Sequence, residues 1–237
     1  MKQFNVQPAF WQIFPEAEIV GLVVDNVDNT GALPAKLLTT ANEKAQQWVP
    51  NDPISANPVV QDWRKAYQQF KTKKGARSAV ENLLKRAKQG KGVTSINPAV
   101  DLYNAVALTW AFPIGGQDLT KIQGNIELTV AQGGEEFIPI GEANVESALM
   151  GEVIYQDGES VICRCFNWRD SSRVEITSTT HQMIFYMENI NPQRHNEVIQ
   201  ALELLQTYLQ TYLQVTAKSF QLTKDHPQAD LQALLYD

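Results

Sequence analysis

The stretch from Ser95 to Leu119 constrains the fold of this chain more than any other. Between Asn97-Pro98 and Phe112-Pro113 the residues are apolar on nearly every side of a helical wheel, so a helix here has to be buried. Asn97 can cap its free amides, and Pro98 occupies a first-turn position where no hydrogen bond is lost. Asp101 and Asn104 lie three residues apart and so share a face of that helix. An unpartnered buried polar group costs ~2–7 kcal/mol, so both side chains need hydrogen bonds, from the chain or from a ligand. Past the helix, Gly115-Gly116 lets backbone approach a bound group closely, although a plain loop is the commoner meaning of such a pair.

Two further Asn-Pro pairs, at Asn57 and Asn191, also precede apolar repeats of helical spacing. The first repeat carries Val60, Trp63, Tyr67 and Phe70. The second runs from Pro192 to about Gln214 through Val198, Leu202, Leu205, Leu209 and Leu213. Ser78-Ala79-Val80-Glu81 reads as a capping box that opens a helix ending near Gly90, and another helix is predicted from about Pro34 to Trp48. Strands are predicted at 18–24, 127–131, 151–155, 160–165 and 183–187, with Asp157-Gly158 as a hairpin turn. Helices and strands are grouped rather than alternating, which predicts an α+β fold with mixed or antiparallel sheets packed against helices. The 237 residues show no repeat and no low-complexity linker, so a single domain over 1–237 is expected. The stretch 215–237 has no assigned role beyond a docking helix suggested by Leu231, Leu234, Leu235 and Tyr236.

Charge is distributed unevenly. The chain carries a net −6, yet Gln61 to Lys91 holds ten cations against Asp62 and Glu81 alone. An otherwise acidic chain repels a polyanion, so any nucleic-acid partner has to be attracted by this segment. The plainer alternative is a pair of solvated helix faces. No apolar run approaches the ~20 residues needed to cross a bilayer. The start, from Met1 to Pro15, lacks a secretory apolar core, so a cytoplasmic protein with no membrane partner is expected.

Cys163 and Cys165 are spaced to point to the same side of a strand, which suits neither an unstrained disulfide nor a zinc site, so buried thiols are expected. The three histidines form no ligand pattern, and no P-loop, dinucleotide glycine signature or Ser-His-Asp arrangement is present. No metal and no cofactor are expected.

Asn97-Pro98-Ala99-Val100-Asp101-Leu102-Tyr103-Asn104, followed by Gly116-Gln117-Asp118-Leu119, resembles the tRNA-binding editing module of the bacterial phenylalanyl-tRNA synthetase β subunit. The segment from Cys165 to Ser172 resembles free-standing relatives of that module, and the likeness covers roughly residues 60 to 190. The resemblance implies an α+β pocket, binding of tRNA or aminoacyl-tRNA, and hydrolysis of mischarged tRNA in trans. Such editing answers a physical limit, because a binding pocket alone rejects a near-isosteric amino acid poorly.

Carried over by position, the resemblance makes Asn104 and Thr120 expected catalytic residues, with Thr120 standing where the synthetase has a histidine; Asp170, with Glu175 as the alternative, is expected to complete the set by orienting the attacking water. Losing that imidazole removes a proton-shuttling group of a kind worth about 10²–10⁴-fold in rate. Asp101, Tyr103, Gly115, Gly116, Asn167, Trp168 and Arg169 are the expected substrate-binding residues, although Trp168 also reads as a hydrophobic anchor and Arg169-Asp170 as a local salt bridge. Lys71, Lys73, Lys74, Arg77, Lys85, Arg86 and Lys88 are the expected RNA-binding residues. The alternative is a non-catalytic module that binds a free amino acid or small metabolite in the inherited pocket. A scaffold for an acidic protein is a third reading, and fold analogy alone does not choose among them.

Overall fold

The computed structural model describes residues 2–236. Its elements in chain order are β1 (Gln3–Val6), α1 (Pro8–Ile13), β2 (Glu18–Val24), α2 (Lys36–Ala45), α3 (Pro58–Ala66), α4 (Ala79–Lys88), α5 (Pro98–Trp110) and β3 (Ile114–Asp118). There follow β4 (Ile126–Val130), β5 (Glu136–Phe137), β6 (Glu146–Ser147), β7 (Val153–Gln156), β8 (Val161–Arg164) and β9 (Arg169–Asp170). The chain closes with β10 (Met183–Asn189), α6 (His195–Leu213), β11 (Lys218–Leu222), β12 (Gln228–Asp230) and α7 (Leu231–Tyr236). The fold is α+β, as the grouping of elements predicts.

Two sheets carry the architecture. One is mixed and six-stranded, in the order β12-β1-β4-β7-β8-β9, with β1 parallel to β4. The other is antiparallel, in the order β11-β2-β10-β3, and β3 forms its edge. β2 and β10 are buried at every residue, the pattern of strands covered on both faces. Successive residues of β2 divide between two cores. Ile19 and Val23 join Phe4, Tyr155, Phe166, Ile184 and Tyr186, whereas Val20, Leu22 and Val24 join residues of α5 and α6. The all-apolar helix α5 is buried as its composition demands, with Leu102 and Val106 in the second core and Ala105 and Leu108 in the first.

Asn97 caps α5 by accepting from the Val100 amide, and the hairpin at Asp157 forms between β7 and β8. Other local expectations fail for identifiable reasons. Glu81 does not close a capping box with Ser78; it takes Arg64 of α3 at 2.7 Å, because a charged partner outcompetes a local amide. Asn57 turns away from its helix and bonds Asn51 and Ile54 instead. Gly115-Gly116 is not a loop but part of edge strand β3, paired with β10. Both cysteines are buried and free as expected, but Cys165 lies past the end of β8 with φ at 48°. The last stretch supplies two strands, β11 and β12, before the expected C-terminal helix.

Candidate functional site

The two sheets converge at the edge formed by β3. Strand alternation puts Gln117 on the same side as Ile184, Tyr186 and Glu188 of β10, facing β7, β8 and β9. Across the gap, Cys163 and Asp170 are register partners on β8 and β9. Gln117 Nε2 donates to Asp170 Oδ1 at 3.4 Å, while Gln117 Oε1 and the Tyr186 hydroxyl are buried without hydrogen-bond partners. Deeper in, Glu188 is closed to solvent and accepts from the Tyr155 hydroxyl at 2.6 Å and from Asn167 Nδ2 at 3.3 Å. The Tyr67 hydroxyl donates to Asn167 Oδ1 at 3.1 Å. A polar seam thus runs through an otherwise apolar interior.

Burial sets the protonation of this seam. It raises Asp170 to about 6, with Cys163 and Gln117 acting against it as hydrogen-bond partners. It raises Glu188 to about 8 despite the bonds from Tyr155 and Asn167. Burial, reinforced by Asp170 and Glu188, pushes Cys163 far above the ordinary thiol value, so Cys163 is an inert thiol rather than a nucleophile. Asp170 keeps part of its surface open to solvent, and Glu188 has none. Asp170 is therefore the less enclosed residue of the pair, with a proton affinity suited to exchange near neutrality.

Tyr103 reaches this edge from α5. Its ring contacts Phe185 at a centroid distance of 6.1 Å and would lie 3.1 Å from a Cβ at Gly116. Burial raises its hydroxyl well above the ordinary value, with Asp170, Glu175 and Asp101 adding to the effect. Gly115 faces Tyr186, and a Cβ there would approach the ring to 2.9 Å. Both positions are therefore closely packed, and a side chain there would force these neighbours to move. The structure therefore brings together Tyr103, Gly115, Gly116 and Asp170 from the expected set.

Other expected residues lie elsewhere. Asp101 holds the turn before α5, accepting from the Ser95 hydroxyl and from the Ile96 amide at 2.8 Å. Asn104 is buried with no side-chain hydrogen bond in the described chain, and none connects it to Asp170. Thr120 is exposed, its hydroxyl donating to Asp118 Oδ1 at 2.6 Å within a tight turn. Asn167 belongs to the interior seam described above. Gln117, Tyr186 and Glu188 enter the site without having been singled out as site residues. Their signal lies in the alternation of Tyr186 and Glu188 with Phe185 and Met187 along one buried strand.

The cations divide into two groups. Lys71, Lys73, Lys74 and Arg77 lie in the loop between α3 and α4, where the Lys73 amide donates to Cys165 Sγ. Lys73 Nζ and the Arg169 guanidinium lie 5.7 and 5.6 Å from the centre of the half-buried Trp168 ring. Arg169 also pairs with Glu142 at 2.8 Å, and Lys73 with Glu146. Lys85, Arg86 and Lys88 lie toward the other end of α4, about 9–14 Å along the helix from its start at Ala79. There Lys88 is occupied by the Val49 and Asn51 carbonyls and by Asp52, and Arg86 by the Gly92 carbonyl. Among the described residues no cluster of three or more His, Cys, Asp or Glu could hold a metal ion, and no helix is long and apolar enough to cross a membrane.

A family model, the B3/4 domain, matches residues 62–214. No curated protein matches the chain. Among solved structures, an N-terminal fragment of the phenylalanyl-tRNA synthetase β-subunit from Pyrococcus horikoshii superposes with a TM-score of 0.51 at 13% identity, covering 91% of this chain. The chain spans about half of that fragment, 50% of its length.

Proposed function

Because this chain belongs to the B3/4 domain family and has a phenylalanyl-tRNA synthetase β-like fold, we propose that it binds aminoacyl-tRNA and hydrolyses a mischarged aminoacyl ester at the β3 edge. The observation that carries this reading is Asp170, a residue of intermediate exposure whose carboxyl burial raises to about 6 and which Gln117 holds beside Tyr103. Asp170 as carboxylate takes a proton from a water whose oxygen attacks the ester carbonyl. The tetrahedral intermediate then collapses, the carbon–oxygen bond to the ribose breaks, and the ribose oxygen leaves with the proton that Asp170 gives back. A backbone amide on the unpaired edge of β3, which no glycine side chain shields at Gly115-Gly116, is suited to the developing oxyanion. Tyr103, packed against Gly116 and Phe185, would limit the side chain accepted.

The loop from Lys71 to Arg77 supplies phosphate contacts, and Trp168 a stacking face worth ~1–3 kcal/mol per base. The deciding experiment is a deacylation screen over tRNAs charged with non-cognate amino acids. At least one ester is expected to be cleaved by the native chain and left intact by Asp170→Asn, whose tRNA affinity is unchanged. No cleavage across the screen removes the hydrolytic reading. The rival, a pocket that only binds a free amino acid, is favoured by Thr120, whose hydroxyl is committed to Asp118. Saturable binding of an amino acid without ester cleavage would select it.

A further inference from the structure

α2 and α6 both pack on α5, and a groove of about 260 Å³ opens between them. Its volume is below the ~300–1,000 Å³ of a site that encloses a small molecule, so it suits side chains presented by a larger partner. α2 lines it with Lys36, Thr40 and Lys44, spaced four residues apart and so forming one ridge, with the two lysines about 12 Å apart along the axis. α6 lines it with Tyr208 and Tyr212, whose rings meet edge to face at 5.7 Å, and Leu37 adds an apolar surface between the two walls. Lys36 and Lys44 are exposed, and among the described residues neither the two ammonium groups nor the two phenols have an ion-pair or hydrogen-bond partner. No carboxylate of the described residues lines the groove, although the chain holds 26 acidic residues against 20 basic ones, and Glu43, the one acid on α2, is not part of its wall.

Four donors without acceptors on one groove define what it takes. An ammonium group only donates, and a phenol O–H donates well to an ionised acceptor, so all four groups suit anionic oxygens. A single-stranded nucleic acid offers such oxygens too, but these half-buried tyrosine rings stand edge to face, and so do not present the parallel faces on which successive bases stack. Leu37 favours an aliphatic side chain instead. A helix with two acidic residues eight positions apart sets its carboxylates about 12 Å apart along its axis, the rise between Lys36 and Lys44. We infer that this groove docks an acidic amphipathic helix of a partner protein, with its carboxylates on Lys36 and Lys44 and an apolar side chain between Leu37 and Tyr208. Both lysines lie outside residues 62–214, so the cationic wall is not part of the stretch that the family accounts for.

The test is calorimetric titration of the intact protein with two synthetic helical peptides of alanine, glutamine and leucine. One carries glutamates eight positions apart with a leucine midway, and the other carries lysines in their place. The acidic peptide is expected to bind saturably and the basic one not at all. Lys36→Glu combined with Lys44→Glu is expected to weaken the acidic peptide about tenfold or more, since like charges then face each other. Both positions are exposed, so the thermal transition should stay where it is. Lys218→Glu combined with Lys224→Glu makes the same change of net charge on β11 and the turn after it, and should change binding less than about twofold. Absence of binding at millimolar acidic peptide overturns the proposal, as does an equal loss from both double variants. Tighter binding of oligouridylate that Lys36→Glu and Lys44→Glu abolish would give the groove to RNA, and self-association that they abolish would give it to a second copy; either overturns the proposal. The readout involves neither tRNA nor ester cleavage, so its failure leaves the editing reading standing, and the converse holds.

Discussion

Asp170 concentrates what the site can do in one side chain. Its value of about 6 lies above the 3.8 of a free aspartate, so the active carboxylate form fills in through that region. Hydrolysis should rise with pH through about 6 and then level off, a profile readable from single-turnover rates between pH 5 and 8. A rate that is flat across this range would exclude Asp170 as the base. Glu188 makes the opposite statement about stability. Raised from 4.5 to about 8, it binds a proton in the folded chain that the unfolded chain has released, so stability falls as pH climbs through that interval. Glu188→Gln should therefore gain melting temperature relative to the native chain as pH rises from 5 to 8, by an amount reflecting a few kcal/mol at most. Equal pH slopes in the two proteins would show that Glu188 does not titrate. Asp170 and Tyr103 were singled out because each lies in a stretch that resembles the family, although Tyr103 stands where the synthetase has threonine. Glu188 carried only its alternation with Met187 along the strand, a pattern shared by a polar residue facing a second sheet and one facing water.

At the scale of elements, β3 decides whether the site stays open. Two adjacent glycines look like a loop in sequence, since strand propensity belongs to residues with side chains to pack. In the fold those glycines are required by what lies against them. A Cβ at Gly116 would meet Phe185 at 3.0 Å and both Ile176 and Tyr103 at 3.1 Å. Gly116→Val should cost about 1–3 kcal/mol and displace Tyr103, visible as a lower denaturation midpoint and loss of ester cleavage. Retention of both would show that the ring moves freely. The ion strip divides at this scale too. Lys71 and Lys74 are exposed beside the loop that carries Trp168, whereas Arg86 and Lys88 are already bound to carbonyls. Replacing Lys71 and Lys74 with alanine should weaken tRNA binding and lower the salt dependence of log K by up to about 2, a larger effect than the Arg86-Lys88 pair gives. Equal effects from both pairs would return the interface to the whole of α4. The clustering of charge was plain in the sequence, but its division was not, because it depends on carbonyls at Val49, Asn51 and Gly92.

For the molecule as a whole, the ends of the chain hold the sheets together. β1 lies between β12 and β4, and β11 extends the sheet beyond β2. Phe220, Leu222 and Leu231 enter the core shared with Phe4 and Tyr186. Burying side chains of this size is worth ~1.5–3 kcal/mol each, and the three together approach the ~5–15 kcal/mol that keeps a domain folded. A chain lacking residues 218–237 should therefore lose its cooperative thermal transition, and an unchanged transition would refute this. The α+β class was legible because long apolar periods announce α5 and α6, while strands of three to five residues paired across some 220 positions leave no local trace.

Glu146 sits between two cations, Lys73 on the outer loop and Arg164, whose guanidinium also grips the fully enclosed Glu152. The short hairpin of β5 and β6 is thereby fastened at one acidic residue, and the Ile140 amide of the same segment donates to the main-chain carbonyl of Asp170 at 3.1 Å, fixing the backbone that carries the carboxyl. An incoming phosphate that claimed Lys73 would weaken Glu146's hold there, so docking at the periphery and the setting of the reactive carboxyl would share a single mechanical linkage.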